Sequence, residues 1–216
     1  DITSAVATRS KRPIPLKVPI VLAGLGSTAV AKRHWEAMAK GAAMSGIIQT
    51  VGENVCGMDP EATYTNGKVT NSPDMASRVS AFRELWDGKH GGIAVQTNVE
   101  DQRGGVDEYA LSKLEVDIIE RKWGQGAKAI GGEVRLTTLE RALEMKRRGY
   151  LVLPDPEDRA VQEEFRAGAF KSFERHSRVG FPEHRSFVED VEELRSKGAR
   201  YVFLKTGAYR PEVVAF

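Results

Sequence analysis

Residues 116–132 read VDIIERKWGQGAKAIGG. The first part of this segment is rich in β-branched residues and long enough for one buried strand of a parallel sheet. Four glycines and two lysines follow within a dozen residues. Glycine lets the backbone approach a ligand closely, successive N–H groups form an anion-binding concavity, and lysines add positive charge. The pattern therefore predicts a strand that leads into an anion-binding loop; the alternative is a glycine-rich connection with solvated lysines.

Composition narrows the class of protein. The 216 residues suffice for one large α/β domain, and the 41% hydrophobic and 29% charged residues are ordinary for a soluble globular chain. A net charge of +2 gives no reason to expect nucleic acid as a partner. Cys56 is the single cysteine, so an internal disulfide and a cysteine-only metal or iron–sulfur site are excluded within this sequence. No apolar run approaches a membrane span, and we expect a cytoplasmic protein.

Strands and helices alternate along the chain. We predict five strands, at residues 18–23, 47–51, 92–97, 116–123 and 201–207. The predicted helices cover residues 29–43, 75–86, 107–114, 137–148, 158–174 and 187–197. Residues 1–17 are interpreted as an extended arm, and residues 57–90 and 133–185 as insertions, the second of them helical, within one domain spanning 1–216.

Strands that alternate with helices, without hairpins between the main ones, form βαβ units. We therefore predict an α/β fold: the N-terminal half of a TIM (β/α)8 barrel with a helical insertion. A whole barrel of about 250 residues would exceed this chain. An open, doubly wound sheet is the alternative. The sequence begins with Asp1 and ends at Phe216 within the pattern of a starting helix, so we expect a piece of a longer polypeptide.

Two residues at predicted strand ends are candidates for chemistry. Glu53 follows the second strand at its carboxyl end, where α/β folds place their sites; the alternative is a surface carboxylate. Lys205 lies within an apolar strand and needs an anion or acceptor nearby, unless it reaches solvent at the strand end. His176 and His184 lack acidic partners at metal-ligand spacing, so we predict no metal. Cys56 is interpreted as a small buried residue.

Four segments resemble the flavin-binding synthase domain of glutamate synthases, including the related N-methylglutamate synthase type subunits. Residues 19–27, PIVLAGLGS, look like the family's opening strand and small-residue turn. Residues 50–54, TVGEN, are similar to its Thr-Gly-Glu-Gly segment, although Asn54 and Val55 replace glycines. Residues 119–128, IERKWGQGAK, give the most specific match, to Ile-Glu-Ile-Lys-Ile-Gly-Gln-Gly-Ala-Lys. Phe203-Leu204-Lys205 occupies the place of a Val-Lys strand.

The resemblance implies a TIM barrel that holds FMN at the carboxyl ends of its strands. It implies an FMN-dependent oxidoreductase that reduces a 2-iminoglutarate-type intermediate, formed from 2-oxoglutarate and ammonia or an amine. Glutamine amidotransferase and electron-donor subunits or domains are the expected partners, and we expect an oligomer. The family's three-cysteine iron–sulfur loop and Gly-Gly-Thr-Gly phosphate loop have no counterpart in this sequence, so an iron–sulfur cluster is expected only outside this chain.

The resemblance also assigns roles. Lys205 is expected beside the N1 and O2 atoms of reduced flavin. Lys122, Lys128 and Gln125 are expected to hold the isoalloxazine edge or the carboxylates of a 2-oxo acid. Glu53 is expected to receive the ammonia or amine, or to carry protons. The remaining predicted cofactor contacts are backbone ones, at Gly24, Leu25, Gly26, Ser27 and Gly126.

Two other functions stay open from the sequence. One is a non-catalytic scaffold or assembly subunit that retains the half barrel. The other is an FMN-dependent 2-hydroxy-acid oxidoreductase, which needs a catalytic histidine at a strand end. His176 and His184 fall in the predicted helical insertion, which makes this second alternative weaker.

Overall fold

The computed structural model describes residues 4–123, 133–176 and 184–205. The strands in these ranges are β1 (Ser4–Val6), β2 (Ile14–Leu16), β3 (Val21–Leu25), β4 (Ile48–Val51), β5 (Thr63–Thr65), β6 (Lys68–Asn71), β7 (Gly92–Thr97), β8 (Ile118–Lys122), β9 (Glu133–Leu136), β10 (Leu151–Leu153), β11 (Phe173–His176) and β12 (Tyr201–Lys205). The helices are α1 (Ala29–Met44), α2 (Val55–Met58), α3 (Pro73–Arg83), α4 (Val99–Arg103), α5 (Val106–Ser112), α6 (Leu139–Arg147), α7 (Arg159–Arg166) and α8 (His184–Ser196). Two compact units result; in the described ranges, the first is 4–122 with 184–205 and the second is 123 with 133–176.

The first unit is built on a five-stranded sheet in the order β12-β8-β7-β4-β3. Every neighbouring pair is parallel, and each strand lies beside the strand of this sheet that precedes it in the chain. A doubly wound sheet reverses its strand order partway, whereas a barrel adds strands in one direction. The sheet is therefore the N-terminal half of a TIM barrel, as the sequence predicts, and the doubly wound alternative is wrong.

Helices cover one face of this sheet. Thr28 caps the N-terminus of α1, because its hydroxyl accepts a hydrogen bond from the N–H of Ala31. The alanines of α1 bring the helix close to the strands. Trp35 on α1 is 3% exposed and belongs to the core that includes Val51, Val95 and Ile119 of the strands. Neighbouring side chains of a strand point to opposite faces of the sheet, so Ala94 and Ile118, next to Val95 and Ile119, lie on the other face.

The opposite face is the interior of the half barrel, and the N-terminal hairpin packs against it. β1 and β2 pair antiparallel, and Ile14 and Leu16 of β2 lie in one cluster with Ile48, Ala94 and Ile118. The expected extended arm is thus a hairpin in its described part. It adds two buried aliphatic side chains to a face that would otherwise meet water.

The second unit contains a three-stranded antiparallel sheet in the order β10-β11-β9 together with α6 and α7. Val152, Phe173 and Leu136 are buried in it. The helical character expected for 133–185 is therefore only partly right, because α7 ends at Arg166 and residues 173–176 are a strand. β9 (EVRL) and β11 (FERH) are short and carry charged residues, and such segments do not distinguish a strand from a helix in a sequence.

No helix in the described ranges is both long and apolar enough to cross a bilayer.

Candidate active site

Two of the predicted site residues meet at the carboxyl edge of the half barrel. Glu53 follows β4, and Lys122 is the last residue of β8. The Lys122 ammonium lies 2.8 Å from Oε1 of Glu53, and both side chains are largely shielded, at 11% and 14% exposed. The side-chain amide of Asn98, which follows β7, donates to Oε2 of Glu53 at 3.0 Å. The Glu53 carboxylate is therefore held from both sides by neighbouring strands.

The loop that carries Glu53 is fixed by a buried acid. Asp101 accepts hydrogen bonds from the backbone N–H of Asn54 at 2.9 Å and of Asn98 at 3.3 Å. Asn98 in return caps α4, because its side chain accepts from the N–H groups of Glu100 and Asp101. Asn54 takes a left-handed backbone conformation, with φ of 64°, so the loop turns sharply just after Glu53.

Burial gives Asp101 unusual acid–base behaviour. Loss of hydration raises the pKa of Asp101 to about 7, the nearby charge of Glu53 adds to this, and the hydrogen bonds from Asn54 and Asn98 act in the opposite direction. A carboxyl group that titrates near neutrality thus lies one hydrogen bond away from the loop that carries Glu53.

The turn after β3 touches the loop after β4 through glycines. The N–H of Gly52 donates to the carbonyl of Leu25 at 2.8 Å. A Cβ added at Gly52 would lie 2.6 Å from the carbonyl carbon of Leu25, and one added at Gly26 would lie 2.8 Å from the carbonyl oxygen of Glu53. Only glycine fits at such a close backbone approach. The predicted flavin-contact turn and the loop of Glu53 therefore form one packed structure.

The interior face of the sheet becomes polar toward this edge. The side-chain amide of Gln96 on β7 donates a hydrogen bond to Glu120 on β8. A Cβ added at Gly24 would lie 3.0 Å from the Gln96 carboxamide, so glycine leaves room for that amide. Lys205 on β12 is paired in register with Lys122 on β8, which brings the two predicted cations to the same edge on neighbouring strands. Within the ranges described, Lys205 has no ion pair.

Arg121, between Glu120 and Lys122, points to the helical side. Its guanidinium lies 2.8 Å from Asp107 of α5 and 2.8 Å from Asp190 of α8, and it donates to the hydroxyl of Thr97 at 2.6 Å. Arg121 is 1% exposed. The end of β8 is thus anchored to two helices by its outward side chain, while Lys122 faces the interior.

The other predicted residues have varied outcomes. Gln125, Gly126 and Lys128 lie outside the described residues. Ser27 directly precedes the N-cap of α1. Cys56 is fully buried, and burial raises the pKa of its thiol, as fits a small core residue.

A 2-hydroxy-acid oxidoreductase would need a catalytic histidine at the end of a strand, and the described residues provide none there. His176 lies on β11 of the second unit, 3.7 Å from Glu174. Within the described ranges, no histidine follows the carboxyl end of a parallel strand, which weakens the 2-hydroxy-acid oxidoreductase alternative. Those same ranges contain no group of three or more His, Cys, Asp or Glu side chains that could hold a metal ion.

Sequence reasoning missed the residues that support Glu53. One signal was available, because Asn98 and Asp101 have the spacing of a helix capping box. Arg78 also supports this loop, through the turn after β3, and no sequence motif indicates its partners. Its guanidinium, on α3, donates to the carbonyls of Leu25 and Gly26 at 3.0 and 2.9 Å, more than 50 residues away in the chain.

Comparison with known proteins agrees with the resemblance carried by the sequence motifs. The family model described as "Conserved region in glutamate synthase" matches residues 2–145. The matched region includes Glu53, Asn98, Asp101 and Lys122. No curated protein and no solved structure matches the chain.

Proposed function

Because this chain belongs to the glutamate synthase family, we propose that it is a flavin-dependent oxidoreductase of the glutamate synthase type. Its substrate is a 2-oxo acid such as 2-oxoglutarate, which ammonia or an amine converts to a 2-iminoglutarate-type intermediate that is then reduced. The observation that carries this proposal is the grouping of Glu53, Lys122 and Lys205 at one edge of the half barrel. An acid–base group beside two cations suits an anionic substrate that must gain a nitrogen and protons.

The residues present fit FMN as the cofactor. The turn after β3, which the resemblance assigns to flavin contact, packs against the loop of Glu53 at the carboxyl ends of the strands, so a flavin held by that turn would lie beside the proposed acid–base group. Lys205, without an ion pair in the described ranges, supplies the positive charge that an anionic flavin edge requires. When bound, the flavin would supply the hydride.

The chain's own residues have distinct proposed tasks. Lys122 and Lys205 bind anionic groups at the sheet edge. Glu53 carries a proton to or from the substrate nitrogen, since its carboxylate is positioned by Lys122 and Asn98 rather than left to rotate. The N-terminal hairpin packs against the interior face with Ile14 and Leu16, away from Glu53 and Lys122 at the carboxyl ends of the strands, and so supports the sheet rather than the chemistry.

A glutamine amidotransferase would supply ammonia, and a separate electron donor would reduce the flavin. Each would be a further subunit or a further domain of a longer polypeptide. The family membership supports these proposed partners, together with a cytoplasmic oligomer.

Titration of the full-length protein with FMN tests the proposal. We expect a yellow complex, and Lys205→Ala should weaken its Kd by about tenfold, which corresponds to about 1.4 kcal/mol. Lys113→Ala, at an exposed lysine after α5, is the matched control and should bind as the wild type does. A wild-type protein that binds no FMN would overturn the cofactor assignment, and equal binding by the two variants would remove Lys205 from the site.

A further inference from the structure

The buried arginine of α3 contacts the turn that the proposed site needs. Arg78 is 1% exposed. Its Nε donates to Asp74 at 2.9 Å, and its Nη1 donates to the carbonyl oxygens of Leu25 and Gly26. A buried guanidinium is costly unless it is paired and hydrogen-bonded, so these contacts determine where it lies.

The geometry fixes the direction of the turn. A peptide unit is planar and trans, so its N–H points opposite to its carbonyl. Because Arg78 attracts the carbonyls of Leu25 and Gly26 toward α3, the N–H groups of Gly26 and Ser27 are directed away from α3. The carbonyl of Leu25 also accepts from Gly52, which ties this orientation to the neighbouring loop.

The contact continues to Glu53. Gly26 packs against the carbonyl of Glu53 so closely that a Cβ would not fit, and Gly52 packs against Leu25 in the same way. A movement of the turn by even a fraction of an ångström therefore moves the backbone of Glu53, because no side chain lies between them to absorb it.

We propose that Arg78 is a positioning residue that sets the β3 turn, and through it Glu53, in the site of the proposed function. It does not touch substrate or cofactor. Its guanidinium acts from behind the turn, where α1 holds it as well. The Arg78 guanidinium lies 5.1 Å from the Trp35 ring, and the Trp35 indole donates to the Arg78 carbonyl at 2.9 Å.

Amide hydrogen exchange in the full-length protein tests this without any cofactor. The N–H of Gly52 reports the turn, because it bonds to Leu25, and the N–H of Gly92 reports the opposite end of the sheet, because it bonds to Ile47. In Arg78→Met we expect exchange at Gly52 to accelerate at least tenfold relative to Gly92. Arg78→Lys keeps the charge but not the two-carbonyl contact, so it should give a smaller change in the same direction and serves if Arg78→Met fails to fold.

Trp35→Phe is the matched control. It removes the buried hydrogen bond to the Arg78 carbonyl but leaves the guanidinium on the turn, so exchange at Gly52 and Gly92 should rise together. The same parallel rise in Arg78→Met and Arg78→Lys would mean that Arg78 only stabilises the fold, and would overturn the proposal.

Cofactor binding separates this inference from the proposed function on which it rests. If the wild type binds FMN, Arg78→Met should raise its Kd about tenfold, while Trp35→Phe should leave it unchanged. If the wild type binds none, the proposed function fails, and the exchange rates at Gly52 still decide the role of Arg78.

Discussion

At the scale of single residues, the pairing of Glu53 with Lys122 predicts a specific loss of function. Glu53→Gln keeps an oxygen that accepts from Asn98 or Lys122 but cannot carry a proton at neutral pH. We expect the fold to persist and the rate to fall on the order of 100-fold or more. Single-turnover reoxidation of the reduced flavin by 2-oxoglutarate and ammonia, followed by absorbance, measures this rate.

The control for that experiment is Glu189→Gln. Glu189 pairs with Arg185 on the exposed surface of α8, where an ion pair has little energetic value. Its rate should equal that of the wild type. Comparable rates for Glu53→Gln and Glu189→Gln would refute the assignment of Glu53 as the proton carrier.

Asp101 predicts a pH dependence of stability. Its pKa is raised to about 7 by burial, so between about pH 4 and pH 7 the folded protein retains a proton that the unfolded chain releases. The contribution of Asp101 to the free energy of unfolding therefore falls as the pH rises through this window, by at most about 1.4 kcal/mol per pH unit. Asp101→Asn cannot titrate and should lack this slope.

Urea unfolding of wild type and Asp101→Asn at several pH values between 4 and 8 checks this expectation. The difference between the two proteins isolates Asp101, because every other titrating group is common to both. Curves that run parallel across the window would show that Asp101 is already ionised at pH 4.

Single residues also show what the sequence could reveal. Glu53 could be singled out because it follows an apolar segment at its carboxyl end, whereas the role of Lys122 could be expected only from the family resemblance of residues 119–128; the structure joins the two. The supporting contacts of Asn98 and Arg78 link residues more than 40 positions apart in the chain. A pattern within one segment contains no information about such pairs, so only the folded chain identifies them.

At the scale of elements, the turn after β3 and the loop after β4 pack so closely that we expect an added methyl group at Gly52 to destabilise the fold. Gly52→Ala places a carbon against the backbone of Leu25 and Gly26, which cannot rotate aside as a side chain would. We expect the free energy of unfolding to fall by about 1–3 kcal/mol. Thermal or urea unfolding measures it.

Gly41→Ala is the matched substitution elsewhere in the same unit. Gly41 lies in α1, and a Cβ there would meet no atom within 4 Å. Alanine favours the helix over glycine, so this variant should gain about 0.5–1 kcal/mol. If Gly52→Ala were as stable as Gly41→Ala, the two loops would not be packed as described.

Element prediction from the sequence succeeded for elements with a clear apolar segment or a helical repeat over several turns. The predicted helix 29–43 is α1, which ends at Met44, and the predicted strand 47–51 is β4, which begins at Ile48. It failed for β1 and β2, because two prolines and three cations in residues 9–15 obscure a short hairpin. Three-residue strands gain their stability from partners rather than from their own sequence.

At the scale of the molecule, the hairpin against the half-barrel interior predicts a loss of stability when its anchor is shortened. Leu16 is 2% exposed and packs with Ile48 and Ala94. Leu16→Ala should lower the free energy of unfolding by about 2–5 kcal/mol. Val30→Ala, at a side chain 70% exposed on α1, should change it by less than about 0.5 kcal/mol.

Urea unfolding compares these two variants. A Leu16→Ala protein as stable as Val30→Ala would mean that the hairpin lies free of the sheet. The sequence could not predict this packing, since the choice between an arm and a hairpin depends on a sheet face that forms from residues 48–118. A parallel sheet could be predicted, because each apolar strand is separated from the next by at least one helix. That alternation alone fits both a barrel and a doubly wound sheet, and the observed strand order distinguishes them.

The opposite orientations of Arg121 and Lys122 have a consequence for how β8 finds its alignment. Sliding this strand by one position would turn Lys122 toward the carboxylates of Asp107 and Asp190 and turn Arg121 toward Gln96, while Ile118 and Ile119 exchanged faces. The shifted strand would lose the forked guanidinium contact with two acids that a single ammonium cannot replace. The two adjacent cations differ in shape and in partners, so together they specify the register of β8. In that register Lys122 reaches Glu53.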